Sequence, residues 1–314
     1  MFIIFICMGS VLNFFKTIWM IGEFVKFAHT VFALPFALSA MMVASRENRG
    51  FPGWRTFLLI LGAMVCARTC AMSFNRIADR RFDTLNPRTA NRPLPAGKIS
   101  LTTAIGLWIV SGVGLIGCAY FLNDICFYLS PVALFVICFY SITKRFSNYT
   151  HFYLGLSLSL APIGAWLAVK GTALNFQDIL GMILIAPAVI FWLVGFDIIY
   201  ALQDYEFDRA HGLRSLVVAW GPRSALVVSF LSHMLMWVLL CLFGFVFKFR
   251  YVYFGGMLVI LICLIMEHFL ARKRTLYWIN IAFFRLNSLV SIVFFVIVAA
   301  EVIFQSGFIF QAHK

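Results

Sequence analysis

An all-α, polytopic membrane fold of nine spanning helices is what this sequence predicts, and three observations carry that reading. Of 314 residues, 63% are hydrophobic and 17% aromatic, Phe alone numbering 36. Only 12% are charged, and the mean hydropathy is +0.96. Apolar runs recur at lengths that cross about 30 Å of hydrocarbon as helices, separated by short polar stretches. Soluble classes are excluded by such a composition. No linker, low-complexity tract or charged tail interrupts it, so residues 1–314 read as a single integral-membrane domain. Residues 1–20, opening MFIIFICMGSVLNFF, lack a basic start and a small-residue cleavage pattern; they read as an interfacial or disordered lead.

The first span, 27–45, opens with KFAHTVFALPFALSA. Lys26 at its lip reads as a snorkelling side chain. His29 and Thr30 lie a turn deeper, and Pro35 predicts a kink whose freed carbonyl needs a partner or a cavity. Span 56–78 carries Arg68 in apolar surroundings. An intramembrane Arg costs about 3 kcal/mol on insertion scales, so it should face the interior, as a structural pair or a substrate contact.

That helix runs into NRIADRRFD, where Asn75, Asp79 and Asp83 recur at steps of four and share one face, with Arg76 and Arg80 beside them. Two carboxylates about 5 Å apart repel by roughly 3 kcal/mol at an effective dielectric near 20, a penalty that a bound cation relieves. Oxygen ligands suit Mg²⁺, which takes one or two carboxylates and leaves other positions to water and phosphate. A single run of this kind reads equally well as a solvated helix end. The following loop, TLNPRTANRPLPAGK, is stiffened by Pro87, Pro93, Pro95 and Gly97 and loaded with Arg88, Arg92 and Lys98. Held over the carboxylates, those cations could meet the outer oxygens of a phosphorylated ligand; otherwise they border lipid headgroups.

Spans 101–122 and 125–143 follow, the second ending in YSITKR, where Tyr140 and Lys144 share a face and Arg145 adjoins them. Span 150–169 contains LGLSLSLAPIGAW, whose small residues allow close helix approach. Span 179–201 leads into DIIYALQDYEFDR, which places Asp197, Tyr200, Asp204 and Asp208 on one helical stripe. Half of the chain's 12 acidic residues lie in the two short runs, which argues against a chance solvated helix end. Spans 224–246, 251–271 and 284–304 carry few polar groups, notably Glu267, His268, Arg285, Asn287 and Glu301, and read as scaffold and lipid contact. Arg285 and Asn287 are left with an unassigned interior role.

With a cytoplasmic N-terminus, 15 of the 25 Lys and Arg fall on the side of both acidic runs and 7 on the other, as the positive-inside rule prefers. Loop cations beside anionic lipid account for much of the +13 charge, and no nucleic-acid or protein partner is implied. The eight cysteines show no metal-ligand spacing and read as small core residues.

Together these motifs resemble the UbiA superfamily of intramembrane prenyltransferases, from HTVFALPFAL to the eighth span. NRIADRRFD is similar to that family's first aspartate-rich motif, NPRTANRPLPAGKIS to the loop after it, and DIIYALQDYEFDRAHGLRS to the second motif. The resemblance implies a U-shaped bundle around a central cavity with a lateral opening. It implies that Asn75, Asp79, Asp83, Asp204 and Asp208 bind Mg²⁺ carrying a polyprenyl diphosphate. Arg76, Arg88, Arg92, Lys144 and Arg145 would neutralise the diphosphate, with Tyr140 and Tyr200 bordering the substrate. Ionisation would give an allylic cation for an aromatic acid to attack, and Asp197 would guide proton loss or the acceptor. RTANRPLP and YALQD resemble 4-hydroxybenzoate polyprenyltransferases of ubiquinone synthesis. Asn-Arg at the start of the first motif departs from their usual Asn-Asp, and NPRTA resembles the related branch that prenylates a carboxylated dihydroxynaphthoate for menaquinone. Either acceptor's carboxylate needs a cation, for which His29, Arg68 and Arg76 are candidates. The expected location is the bacterial inner membrane, with the site's mouth toward the cytoplasm. A transporter, the rival from another class, would show inverted repeats with paired broken helices and leaves the acids at one face unexplained.

Overall fold

A computed structural model of the protein describes residues 19–272, 278, 279 and 281–312. Among them there is no strand, and nine helices are long and apolar enough to cross a membrane. With the short tight turns that adjoin some of them, these spans are built on α1 (Thr30–Ala44), α2 (Trp54–Leu85), α3 (Leu101–Leu122), α4 (Asp124–Phe139), α5 (Thr150–Lys170), α6 (Phe176–Ala201), α7 (Leu216–Val246), α8 (Tyr251–Ala271) and α9 (Asn287–Ala312). Most of the expected lead, with Cys7, Lys16, Lys273 and Arg274, lies outside the described residues.

Side-chain caps set several of the helix starts. Ser100, Asn123, Asn175 and Ser215 each accept a backbone N–H in the first turn of α3, α4, α6 and α7, and Asn175 with Asp178 completes a reciprocal capping box. The helix ends follow local chemistry as well. α2 continues seven residues past the expected 78, because charged residues end a hydropathy run without ending a helix; it stops at Asn86, which is extended ahead of Pro87. α7 begins at Leu216, upstream of the expected 224, and breaks at Gly221, whose φ of 76° suits glycine, just before Pro222. Pro35 in α1 frees the Val31 carbonyl as expected, and Ser291 Oγ of α9 donates to it at 2.8 Å.

Helices adjacent in sequence pack on one another from α2 through α9, whereas α1 packs on α5 and α9 instead of α2. One half of the bundle is solid. Between α1, α6, α7, α8 and α9, the Phe36 ring lies 4.8 Å from both Trp192 and Phe294. Gly195 brings α6 close to α7, since a Cβ there would fall 2.0 Å from the His233 ring. A buried polar chain ties this half together: Trp192 Nε1 donates to Asn287 Oδ1, Asn287 Nδ2 to Glu267 Oε1, both at 2.7 Å, and His233 contacts His268 at 3.0 Å. Asn287 thus gains a structural role, through partners that sequence spacing does not reveal. The other half, α2 to α5 facing α1, encloses an apolar cavity, and a polar cavity adjoins it where these helices meet the C-terminal end of α6.

Candidate active site

The last turns of α2 bring the first acidic run to the mouth of a polar cavity of about 270 Å³. Asn75 Nδ2 donates to Asp79 Oδ2 at 3.2 Å, and Arg145 Nη2 lies 3.9 Å from Asp79 Oδ1 while donating to the Ala78 carbonyl at 2.6 Å. Asp83 is buried, with Arg92 Nη1 at 2.7 Å and Arg76 Nη1 at 3.7 Å. The repulsion expected between Asp79 and Asp83 is therefore already met by arginines, each acid holding its own partner.

The second run does not continue as one α-helix. α6 gives way at Ala201 to a tighter turn, Leu202–Asp204, and then to a short helix, Tyr205–Ala210. Asp197, Tyr200, Asp204 and Asp208 nonetheless line the same cavity as the first run, so the stripe survives a change of helix type. Asp204 accepts from Arg88 through both oxygens and from Asn86 Nδ2 at 3.1 Å, and Arg88 Nη1 donates to Tyr200 Oη at 2.8 Å. Burial opposes the charge of Arg88, yet the Asp204 carboxylate raises its pKa above the ordinary arginine value. Lys144 Nζ lies 3.4 Å from Asp208, and Asp197 Oδ2 lies 2.6 Å from His151 Nδ1.

All of the site residues expected from the sequence line this one cavity: Asn75, Arg76, Asp79, Asp83, Arg88 and Arg92 from α2 and its loop, Tyr140, Lys144 and Arg145 from the tight turn Tyr140–Arg145 after α4, and the four residues of the second run. Lys26 joins them while its side chain stays exposed; partial desolvation, with Arg76 and Arg92 nearby, pushes its amine below the usual lysine value. Arg68 fastens the turn before α1, donating to the carbonyls of Val25 at 3.2 Å and Lys26 at 3.1 Å. Lys26 there takes a φ of 51°, a strained conformation for a residue with a Cβ. Asn86 and His151 were not singled out by sequence. The polar pair Thr150–His151 opening an otherwise apolar span was the signal available for the second.

Below the polar cavity lies an apolar one of about 290 Å³, lined by α1 to α5. The two share His29, Arg68, Tyr140, Leu154 and Leu158. Such a pair suits an amphiphile with an anionic head and a long hydrocarbon tail. The acids also fit a hard divalent cation. Their donors are oxygens, and Asp83 Oδ2 is buried without a hydrogen-bond partner. Among the described residues no three carboxylate, His or Cys side chains form a ready shell, so a cation would take the acids in ones and twos, completed by water and phosphate.

Residues 32–289 match the family model described as the UbiA prenyltransferase family. The chain is 31% identical over 239 residues to the 4-hydroxybenzoate octaprenyltransferase of Francisella tularensis subsp. novicida (strain U112), a match covering 75% of this chain and 80% of that protein. It is 27% identical over 235 residues to the enzyme of the same name from Vibrio campbellii (strain ATCC BAA-1116), again covering 75% and 80%. In structure it is similar to an apo UbiA homolog from Aeropyrum pernix K1, with a TM-score of 0.77 and 30% identity, covering 88% of this chain and 98% of that one. A UbiA homolog from Archaeoglobus fulgidus bound to GPP and Mg²⁺ shares the fold at a TM-score of 0.66 and 21% identity, covering 89% and 99%. With its nine apolar helices, its paired cavities and a family match over most of its length, this integral-membrane chain belongs to the UbiA prenyltransferase family.

Proposed function

We propose that the protein transfers a polyprenyl group from polyprenyl diphosphate to an aromatic acid of the 4-hydroxybenzoate type, with Mg²⁺, in respiratory quinone synthesis. One observation carries this reading: acids from two distant runs and cations from a third segment line one polar cavity that opens onto an apolar one. The names of the relatives supply the acceptor class. The excess of Lys and Arg beside the acids supports a cytoplasmic mouth, and the named relatives are bacterial, which supports the inner membrane.

Asn75, Asp79, Asp83, Asp204 and Asp208 would hold the metal, which when bound supplies positive charge to the departing diphosphate. Arg76, Arg88, Arg92, Lys144 and Arg145 meet the outer phosphate oxygens and stabilise the charge that grows there as the allylic carbon–oxygen bond breaks. Tyr140 and Tyr200 border the reacting carbon. Phe32, Phe196 and Phe283, packed together at 5.3–5.5 Å on the cavity wall, keep water from the cation. Asp197, seven residues deeper along the second run than Asp204, accepts the proton that the aromatic ring loses, and His29, Arg68 or Arg76 meets the acceptor carboxylate.

The test offers purified protein a labelled polyprenyl diphosphate with Mg²⁺ and, in parallel, 4-hydroxybenzoate or a carboxylated dihydroxynaphthoate. Label in the benzoate product is expected. Transfer to the naphthoate alone would move the assignment to the menaquinone branch, and no transfer to either would overturn it.

A further inference from the structure

Every acid of the polar cavity except one is paired with a fixed cation. Asp83 has Arg92 and Arg76, Asp204 has Arg88, Asp208 has Lys144, and Asp79 has Arg145. Asp197 instead faces a histidine, with Oδ2 2.6 Å from His151 Nδ1.

The hydrogen bonding also settles which nitrogen of the ring carries its proton. His151 is wholly enclosed, and its Nε2 meets no hydrogen-bond partner. With the proton on Nε2, a donor would be stranded in a dry site and the Nδ1 lone pair would face a carboxylate oxygen. With the proton on Nδ1, the donor is used and only an acceptor lone pair stays dry. A carboxylate oxygen accepts, so Nδ1 carries the proton in this contact. Asp197 meanwhile keeps part of its carboxylate exposed to the cavity it lines.

We propose that His151 is a positioning residue for proton removal: its Nδ1–H pins Asp197 Oδ2, so that Oδ1 points at the ring carbon that has just joined the prenyl group. This rests on the prenyl-transfer reading above. In the step, the ring carbon's electron pair forms the bond to the allylic cation, whose bond to the diphosphate oxygen has already broken. The proton on that ring carbon passes to Asp197 Oδ1, its bonding pair restores aromaticity, and the acid returns the proton to water after product leaves. His151 keeps its own proton throughout and needs no second partner, which is why its Nε2 can remain sealed.

The experiment uses full-length His151→Leu, His151→Asn and Asp197→Asn proteins with 4-hydroxybenzoate deuterated at both ring positions beside the hydroxyl. Transfer and diphosphate release are measured separately. In the parent, deuteration should change the rate less than about 1.5-fold, because ionisation limits. In His151→Leu, transfer should fall at least tenfold while diphosphate release stays within about threefold, and a deuterium effect above about twofold should emerge. Asn presents an amide N–H near the Nδ1 position, so His151→Asn should recover most of the transfer and lose the deuterium effect. The proposal is overturned if His151→Leu matches the parent, or if its transfer and diphosphate release fall together with no deuterium effect while Asp197→Asn shows one. If Asp197→Asn itself transfers at the parental rate, Asp197 is not the proton acceptor and the assignment above fails with it. If the parent forms no prenylated benzoate at all, the prenyl-transfer reading fails first.

Discussion

Arg88 grips Asp204 with two nitrogens, Nε on Oδ1 at 2.8 Å and Nη2 on Oδ2, joining positions 116 residues apart in the chain. This clamp uses the oxygens a metal would need and the guanidinium face a phosphate would need. On the proposed reading, substrate binding would be an exchange in which Asp204 is given up to the metal and Arg88 to the phosphate, so that neither charge is left bare.

Because the clamp is planar and two-pronged, lysine is not an equivalent replacement. Arg88→Lys should lower kcat/KM about tenfold, and Arg88→Ala by about 30- to 100-fold, in line with about 2–3 kcal/mol for a doubled charge-assisted contact. The two variants are compared at saturating acceptor with the prenyl diphosphate varied. Equal losses would mean that only charge matters at this position.

Removing an acid of either run should stop the chemistry and spare the fold. Asp79→Ala and Asp204→Ala should each lose prenyl transfer by roughly a thousandfold, the scale on which one preorganised charge contact at a transition state counts. Chelating divalent ions should have the same effect on the parent, and Mg²⁺ should restore it. Gel filtration in detergent checks that each variant remains folded; full activity in either would defeat the metal and diphosphate assignment.

Two arginines at the mouth differ in what they protect. Arg92 is paired with an Asp83 side chain that is 8% exposed, whereas the Arg145–Asp79 pair is 41% and 29% exposed. Losing one partner of a buried pair costs up to about 3 kcal/mol, and losing an exposed one about 0–1 kcal/mol. Arg92→Ala should therefore melt several degrees lower than Arg145→Ala in the same detergent, while both weaken diphosphate binding.

The apolar cavity should set the length of tail accepted. Gly164 lines it, and a Cβ there meets no heavy atom within 4 Å, so a larger side chain enters open space instead of the packed core. Gly164→Phe should shift preference toward shorter prenyl diphosphates by about tenfold, the scale of about 1–3 kcal/mol on which an apolar pocket discriminates. Competition between a short and a long donor, read by product mass, checks it.

The nine spans were legible because hydropathy is a property of each segment by itself, and burial in lipid needs no knowledge of neighbours. Their ends were less so. α2 outruns its apolar stretch through NRIADRRFD, and the second run changes helix type at Leu202–Asp204, features set by packing and turn geometry. The acids of the site were legible from spacing, and the cations from their excess in one loop. What the sequence concealed was pairing. Nothing local says that Arg88 belongs to Asp204, that Lys26 borders the same cavity, or that His151 meets Asp197 across 46 positions. The arginines that face Asp79 and Asp83 come from the turn after α4 and from the loop, which spacing along one helix does not show.

His29, Arg68, Tyr140, Leu154 and Leu158 line both chambers. A prenyl donor bound as proposed would straddle these residues, so a tail that fits badly in the greasy half would drag the reacting carbon out of line in the charged half. On that reading chain-length discrimination and catalytic rate are coupled, and a change at Tyr140 or Leu158 should be felt in both.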